Sequence, residues 1–258
     1  MCDLLILSAP GEPYPNHIKA CLTSWHEIEN RMLPTLSRLF AIESAVVKNA
    51  VEVMIVCHDI GKLSRQWQTY IQPESERKHG PPHATLGAAY LLLNPANSNL
   101  DSLHNGAALA ILMHHTDSGL AQGNLEHPAE DAINRGLVDY GSETIRWAEG
   151  ADGAFEESHG GFCSDMLGWP LASVTLSSLE KMALNLRLWS RCPRSLEQHQ
   201  HRIQALSLHH VIKICDWRAA SRRPQETHDE DGDVADTPNK NKWHDSILRA
   251  YLDGGILP

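Results

Sequence analysis

Apolar residues recur at the three- and four-residue spacing of an α-helix over most of this chain. From Asn16 onward they stand at positions 18, 22, 25, 28, 32, 36, 39 and 40, which predicts a long first helix. Asn16 is a candidate N-cap, and Pro34 predicts a kink or a break. A second helix is predicted over 44–58, ended by Gly61. Further helices are predicted over 64–71, 83–93, 103–115, 176–190, 196–221 and 243–252.

The remaining segments show weaker patterns. Residues 3–8 are typical of a short strand or an extended arm, which the prolines and glycine of 10–15 interrupt. Over about 116–170 we predict an insertion or lid, with short helices near 128–137 and 142–149 and a glycine-rich stretch at 150–161. The polar, acidic segment at about 222–241 predicts a loop. We therefore expect an all-α fold in which residues 1–258 form a single domain.

Composition narrows the function classes. Hydrophobic residues make up 42% and charged residues 21% of the chain, as in a folded globular protein. The net charge of −10 argues against binding long nucleic acids through charge alone, but not against an enzyme that binds a few phosphates. Scattered cysteines without a C-x-x-C pair favour reduced thiols. Neither a basic leader nor an apolar run of about 18 residues is present, so we expect a cytoplasmic protein without a membrane span.

Most of the side chains that can bind divalent metals lie on segments predicted as helices. The candidates are His17, His58, Asp59, His83, His114, His115 and Asp216. Imidazole and carboxylate are ligands suited to Mn, Fe, Co, Ni or Zn. The set is too large for one tetrahedral structural ion and contains no thiolate. It suits two metal ions that share a carboxylate, an arrangement that hydrolyses phosphoesters.

The His58-Asp59 dipeptide follows an apolar helix and precedes Gly61. Neighbouring residues at a helix end point about 100° apart, so His58 and Asp59 can bind different ions. Asp59 can also bridge the two ions. Lys62 lies one turn further on, where its ammonium group can contact a phosphate or steady a carboxylate. A catalytic role for Asp59 and Lys62 is the hypothesis that follows.

Other readings of these residues remain open. His26 competes with His17 for a place in the site, and the histidine pair at 209–210 competes with the pair at 114–115. Asp216 lies on an otherwise apolar helix face, where a buried carboxylate needs a metal or a distant arginine as its partner.

A few residues are candidates for contacts with nucleic acid. Arg218, Ser221 and Arg222 lie in the more basic C-terminal half, although a solvated helix face explains them equally well. Trp67 and Tyr70 are candidates for stacking on bases, with packing in the core as the alternative.

Together these residues resemble the HD superfamily of metal-dependent phosphohydrolases, and within it the stand-alone HD nuclease of type I CRISPR interference. The resemblance spans about 14–222 and rests on His17, His58-Asp59 with Gly61-Lys62, Trp67-Gln68-x-Tyr70, His83 with Gly87-Ala88, His114-His115, and Asp216 with Ser221. Residues 120–170 carry no motif of the family.

This resemblance implies an HD-domain helical bundle with a metal centre between its helices. It implies hydrolysis of single-stranded DNA, with RNA left open, by two divalent ions drawn from Mn, Ni, Co, Fe or Mg. A separate helicase subunit and a guide-RNA surveillance complex would deliver the strand. Two alternatives stay open: an HD phosphohydrolase acting on nucleotides or cyclic nucleotides, and a non-enzymatic helical scaffold or sensor.

Overall fold

A computed structural model describes residues 5–73, 75, 81, 83–93, 100–114, 123–160 and 168–222, except the side chains of 123 and 124. The predicted all-α architecture is confirmed. The described strands are β1 (Leu7–Ala9) and β2 (Glu12–Pro13), which form one antiparallel hairpin. The helices are α1 (Tyr14–Phe40), α2 (Ser44–Cys57), α3 (Arg65–Tyr70), α4 (Ala84–Leu91), α5 (Asp101–Met113), α6 (Gly123–Glu126), α7 (Pro128–Asn134), α8 (Ala151–His159), α9 (Leu176–Ser190) and α10 (Ser195–Ser221).

The first helix shows how the apolar pattern builds the core. Ile18, Cys21, Trp25 and Ile28 are buried along one face of α1, three or four residues apart. Helix α1 packs against α2 and α10, and α10 and α4 pack against α5. Burial of a continuous apolar stripe stabilises each of these helices far more than its intrinsic propensity does.

Two details of α1 differ from the prediction. The helix begins at Tyr14 after Pro13, so Asn16 is not its N-cap. Pro15 fits here because the first turn of a helix leaves its N–H groups without intrahelical partners. Pro34 lies inside α1, which continues to Phe40 without dividing.

The prediction for 142–161 was wrong in its local structure. The segment 142–149 contains isolated β-bridges at residues 144, 145 and 147 instead of a helix, whereas α8 occupies the glycine-rich stretch. Gly150 and Gly160 adopt positive φ angles of 81° and 52° at the two ends of α8. Glycine reaches this region without a steric penalty, so these residues bound the helix rather than disrupt it. Phe155 is buried, and its ring contacts Tyr90.

Some predicted features lie outside the described residues. They are His115, the acidic loop beyond Arg222 and the helix at 243–252. In the described part of the chain, no helix is both long enough and apolar enough to cross a bilayer.

Candidate metal centre

Two glycines allow α4 to approach the end of α2. His58 and Asp59 follow α2 directly and lead into a 3₁₀ turn, Ile60–Leu63. A Cβ atom on Gly61 would overlap the backbone of His83, and one on Gly87 would overlap the carbonyl oxygen of Cys57. This close contact of backbones brings His83, at the start of α4, to the His-Asp dipeptide.

Four imidazoles surround the buried carboxylate of Asp59. Oδ2 lies 3.2 Å from Nε2 of His17 and 3.4 Å from Nε2 of His58. Oδ1 lies 3.2 Å from Nε2 of His83 and 3.6 Å from Nε2 of His114. These histidines come from α1, the end of α2, the start of α4 and the end of α5. The two oxygens of one carboxylate therefore face two different pairs of histidines.

Helix α10 adds Asp216 to this group. Its Oδ1 lies 3.3 Å from Nε2 of His17, so this ring nitrogen faces two carboxylates. We call this group of residues the Asp59 cluster. Its members are His17, His58, Asp59, His83, His114 and Asp216.

Lys62 contacts the cluster from the 3₁₀ turn. Its Nζ lies 2.6 Å from Oδ2 of Asp59 and 5.4 Å from the centroid of the Trp67 ring. Both Lys62 and Asp59 are buried. In this structure the ammonium group therefore steadies the carboxylate, one of the two roles that the sequence suggested.

The β-hairpin orients His17 through residues that the sequence analysis missed. Nδ1 of His17 lies 3.3 Å from Oε1 of Glu12, and Ser8 donates a hydrogen bond of 2.6 Å to Oε2 of Glu12. The hydrogen bond to Glu12 keeps a proton on Nδ1 and turns Nε2 towards Asp59. A carboxylate that orients the outer nitrogen of an imidazole is typical of metal sites.

Cys21 is a further neighbour, one helical turn after His17. Its Sγ lies 3.7 Å from Nε2 of His17. Burial raises the pKa of the Cys21 thiol above its usual value, which favours the neutral thiol at neutral pH. In the metal-free protein the site therefore offers a neutral thiol, whose Sγ lies within 4.8 Å of donor atoms of His17, His58 and Asp216.

The backbone fixes the ring orientation of two other histidines. Nδ1 of His58 donates to the carbonyl oxygen of Ile55 at 2.6 Å, and Nδ1 of His114 donates to that of Ile111 at 2.5 Å. A carbonyl oxygen only accepts, so the proton lies on Nδ1 and the lone pair on Nε2. In each ring that lone pair is turned towards the carboxylate of Asp59. Acceptors that face each other in a buried site need a cation between them, so these residues fit a divalent metal.

Electrostatics favour the protonation states of metal ligands. Burial lowers the pKa of both His58 and His83 to about 4, so both rings are neutral at pH 7. Burial alone would raise the pKa of Asp59, but the Lys62 ammonium group and the hydrogen bond from His17 hold it well below its usual range. Burial alone would also raise the pKa of Asp216, but the hydrogen bond from His17 outweighs it and lowers that pKa.

The pKa of His17 shifts in the opposite direction from those of His58 and His83. Burial alone would lower its pKa, but the neighbouring Cys21 side chain and the hydrogen bonds to Asp216 and Asp59 outweigh burial and raise it. In the metal-free protein a proton on His17 therefore lies between two carboxylates, where a cation is favoured.

A cleft of about 580 Å³ opens beside the Asp59 cluster. Its lining residues belong to the hairpin, the 3₁₀ turn, α3 with the residues after it, and α10. They are Ser8, Ala9, Pro10, Lys62, Trp67, Tyr70, Ile71, Gln72, Pro73, Asp216 and Ala220. Lys62 and Asp216 both contact members of the cluster, so the cleft leads to it.

Sequence comparison identifies the family. A family model for the HD domain of Cas3 matches residues 16–245, which is most of the chain. The chain belongs to the Cas3 HD-domain family. The resemblance inferred from the ordered histidines and aspartates is confirmed.

Two curated relatives of the chain are named CRISPR-associated endonuclease Cas3-HD. The protein from Methanocaldococcus jannaschii is 28% identical over 121 residues, 43% of this chain and 48% of the relative. The protein from Pyrococcus furiosus is 27% identical over 114 residues, 41% of this chain and 46% of the relative. The chain thus spans about half the length of the curated relatives it matches.

A solved structure supports the fold assignment. The CRISPR-associated Cas3 HD domain protein of M. jannaschii superposes with a TM-score of 0.58 at 17% identity. The match covers 81% of this chain and 99% of that one. At this level of identity the likeness is one of fold, and it confirms the predicted HD-domain bundle.

The residues suggested for nucleic-acid contacts in this Cas3 HD domain are not among those that line the cleft. Arg218 lies 3.1 Å from Glu27, and Arg222 lies 2.9 Å from the same carboxylate. The hydroxyl of Ser221 donates to the carbonyl oxygen of Trp217 within α10. Contact with nucleic acid by these three residues stays a prediction.

The histidines that the sequence offered as alternatives, His26 and the pair at 209–210, lie outside the Asp59 cluster. His26 pairs with Glu52 at 3.1 Å on the protein surface, with 41% of its side chain exposed. Among the described residues, the pair at 209–210 belongs to no group of close metal-binding donors. The structure brings His17 to Asp59 and leaves these rings outside the cluster.

Proposed function

We propose that this protein is a divalent-metal-dependent nuclease that hydrolyses phosphodiester bonds in single-stranded DNA during CRISPR interference. The observation that carries the proposal is the arrangement around Asp59, where buried imidazole lone pairs face a carboxylate that is held ionised. Membership of the Cas3 HD family and the endonuclease names of the curated relatives support it.

Seven residues would hold the metal ions. They are His17, His58, Asp59, His83, His114, His115 and Asp216. The two oxygens of Asp59 face separate histidine pairs, which supports the proposal that Asp59 bridges two ions. When bound, divalent ions supply Lewis acidity at the phosphodiester and lower the pKa of a water molecule.

The side chains of the chain itself prepare this chemistry. Hydrogen bonds to Ile55 and Ile111 hold His58 and His114 in one tautomer, so their orientation needs no rearrangement when the substrate binds. Lys62 holds Asp59 in place and lines the cleft, where its positive charge attracts a phosphate group. We assign Asp59 and Lys62 the catalytic roles on these grounds.

The net negative charge of the chain supports the proposal that other proteins deliver the strand to it. A net charge of −10 gives little general attraction to nucleic acid, so the metals and Lys62 must provide most of the local attraction. A separate helicase subunit and a guide-RNA surveillance complex in the cytoplasm would supply single strands at high effective concentration.

The experiment that tests the proposal starts from metal-free protein. Samples loaded with Mn, Ni, Co, Fe or Mg are incubated with end-labelled single-stranded DNA, single-stranded RNA and duplex DNA, and with circular single-stranded DNA to detect internal cleavage. We expect metal-dependent cleavage of single strands, reduced on the order of 10³-fold in Asp59→Asn. Absence of cleavage with every metal would overturn the proposal.

The size of the cleft favours one alternative, which the same experiment decides. About 580 Å³ is a typical volume for a small-molecule site, so a single nucleotide also fits. A panel of nucleotides and cyclic nucleotides is therefore assayed beside the strands. Hydrolysis of nucleotides alone would assign the protein to the small-molecule HD phosphohydrolases.

A further inference from the structure

The cleft beside the Asp59 cluster has two different walls. Trp67 and Tyr70 form one wall on α3, while residues 8–10 of the hairpin form the other. Among the lining residues, Lys62 contacts Asp59, and Asp216 belongs to the cluster. The cleft thus joins an aromatic surface to the site where a phosphate would be hydrolysed.

We propose that this cleft binds one unpaired nucleobase of the strand, adjacent to the phosphate at the Asp59 cluster. Tyr70 and Trp67 provide the surface on which the base stacks. The inference rests on the proposed nuclease function and adds the part of the substrate that is recognised. Binding a base in this way requires that it be unpaired, which gives a physical reason for preferring single strands.

The aromatic wall is held rigidly against the cluster. The ring of Trp67 contacts His83 edge to face, with centroids 4.7 Å apart, and its centroid lies 5.4 Å from that of Tyr70. The ammonium group of Lys62 lies over the same indole ring. A base stacked on this wall would lie within one nucleotide of a phosphate at Asp59, because the wall touches a member of the cluster.

Gln68 holds the two walls together. Its amide nitrogen donates to the carbonyl oxygens of Leu7 and Lys62, both at 2.7 Å, and its Oε1 accepts from the backbone N–H of Leu7 at 3.1 Å. These bonds tie the hairpin to α3 and to the 3₁₀ turn. The width of the cleft is therefore set before a ligand binds, which lowers the entropic cost of binding.

The lining chemistry matches a nucleobase attached to a phosphate. Planar aromatic and apolar residues along the cleft suit the face of a base, whereas the ammonium group at its inner end suits the phosphate. Aromatic side chains bind single strands without strong sequence preference because every base has a π-face. We therefore expect a site that accepts all four bases.

The test compares Tyr70→Ala with the wild type, using labelled ten-nucleotide single strands that either carry bases or are fully abasic. Binding is measured by fluorescence anisotropy in chelator at low salt, and KM is measured with the metal-loaded protein. Removing one stacking surface should weaken binding of the base-containing strand by about tenfold or more. Affinity for the abasic strand should not change.

Two matched variants separate stacking from other effects. Tyr70→Phe keeps the ring and should restore wild-type affinity. Tyr140→Ala removes a tyrosine that is fully exposed and outside the cleft lining, so its affinity should equal that of the wild type. Circular dichroism spectra of all variants establish that they are folded.

The outcomes distinguish this inference from the proposed function. Equal binding of both strands by the wild type, or an equal loss for both strands in Tyr70→Ala, would overturn the base site alone. Cleavage of neither strand by the metal-loaded wild type would overturn the nuclease proposal, while the anisotropy comparison would still decide whether the cleft binds bases.

Discussion

Among the residues that the structure describes, histidine and carboxylate donors come close enough to hold a metal at two places, whose surroundings differ. One is the buried Asp59 cluster. The other, which we call the surface group, consists of His26, Glu29 and Glu52. In the surface group Nζ of Lys48 lies 2.7 Å from Glu29 and 3.8 Å from Glu52.

The difference shows that donor spacing alone does not identify a metal site. In the surface group a partly exposed lysine and an exposed imidazole already pair with the more buried carboxylates of Glu29 and Glu52, so these carboxylates have partners without a metal. In the Asp59 cluster, backbone carbonyls fix two imidazoles so that their lone pairs face a buried carboxylate. Burial and ring orientation, more than distance, make the cluster suited to a cation.

The largest expected difference between the two groups is in catalysis. Asp59→Asn should lower kcat/KM for single-stranded DNA by on the order of 10³-fold, about 4 kcal/mol, because the carboxylate that faces four histidines loses its charge. Glu52→Gln in the surface group should stay within about twofold of the wild type. Cleavage rates with end-labelled strands measure both, and a comparable loss in the two variants would remove the distinction.

The next largest effect is on stability with metal. A metal at about one hundred times its Kd should stabilise the wild type by about 2.7 kcal/mol, since it binds the folded state. For a chain of this size we expect Tm to rise by roughly 5 to 10 °C. Differential scanning fluorimetry with and without metal measures the shift. Asp59→Asn should lose most of the metal-induced rise in Tm, and Glu52→Gln should keep it. The opposite pattern would place the metal in the surface group.

A smaller effect is expected at Glu12, which orients His17 from the hairpin. Glu12→Gln keeps the size of the side chain but removes the charge that favours the Nδ1 proton of His17. Loss of such an orienting partner typically weakens metal affinity by about 10- to 100-fold. Isothermal titration calorimetry gives the affinity directly. His26→Gln is the control from the surface group, and an equal loss in that variant would refute the role of Glu12.

The smallest effect concerns Lys48. Lys48→Gln removes the ammonium group from Glu29 and Glu52, but the Lys48 side chain is 38% exposed, so solvent screens its charge. The free energy of unfolding should change by less than about 1 kcal/mol. Urea denaturation followed by circular dichroism measures it. A loss above about 2 kcal/mol would show that the surface group is a structural element comparable to the cluster.

Sequence patterns predicted most of the helical framework. Helix α9 begins and ends within a residue of its predicted bounds, because a capping Thr175 and an apolar repeat define it locally. The segment 142–161 was mispredicted because glycines at helix ends and glycines in loops look alike in a sequence. Only the backbone angles of Gly150 and Gly160 separate the two cases.

The predicted site likewise contains residues that a local motif indicated and residues that only the packing of the chain places there. His58-Asp59 was recognisable from its position between an apolar helix and Gly61. Glu12 and Ser8 were missed because they reach His17 through a hairpin, and no helical spacing relates residues 8 and 12 to residue 17. The small side chains at 84, 87 and 88 indicate close helix packing, but the partner of Gly87 at the end of α2 was not predictable, since it depends on which helices pack together.

The sequence alone therefore determined the helical class, the family and the order of the residues in the Asp59 cluster, because those properties reside in local periodicity and short motifs. The tertiary structure decided which rings face Asp59, how their protons are placed and where the cleft opens. These depend on contacts between residues far apart in the chain, such as those of His17 with Asp216, which the packing of α10 against α1 creates.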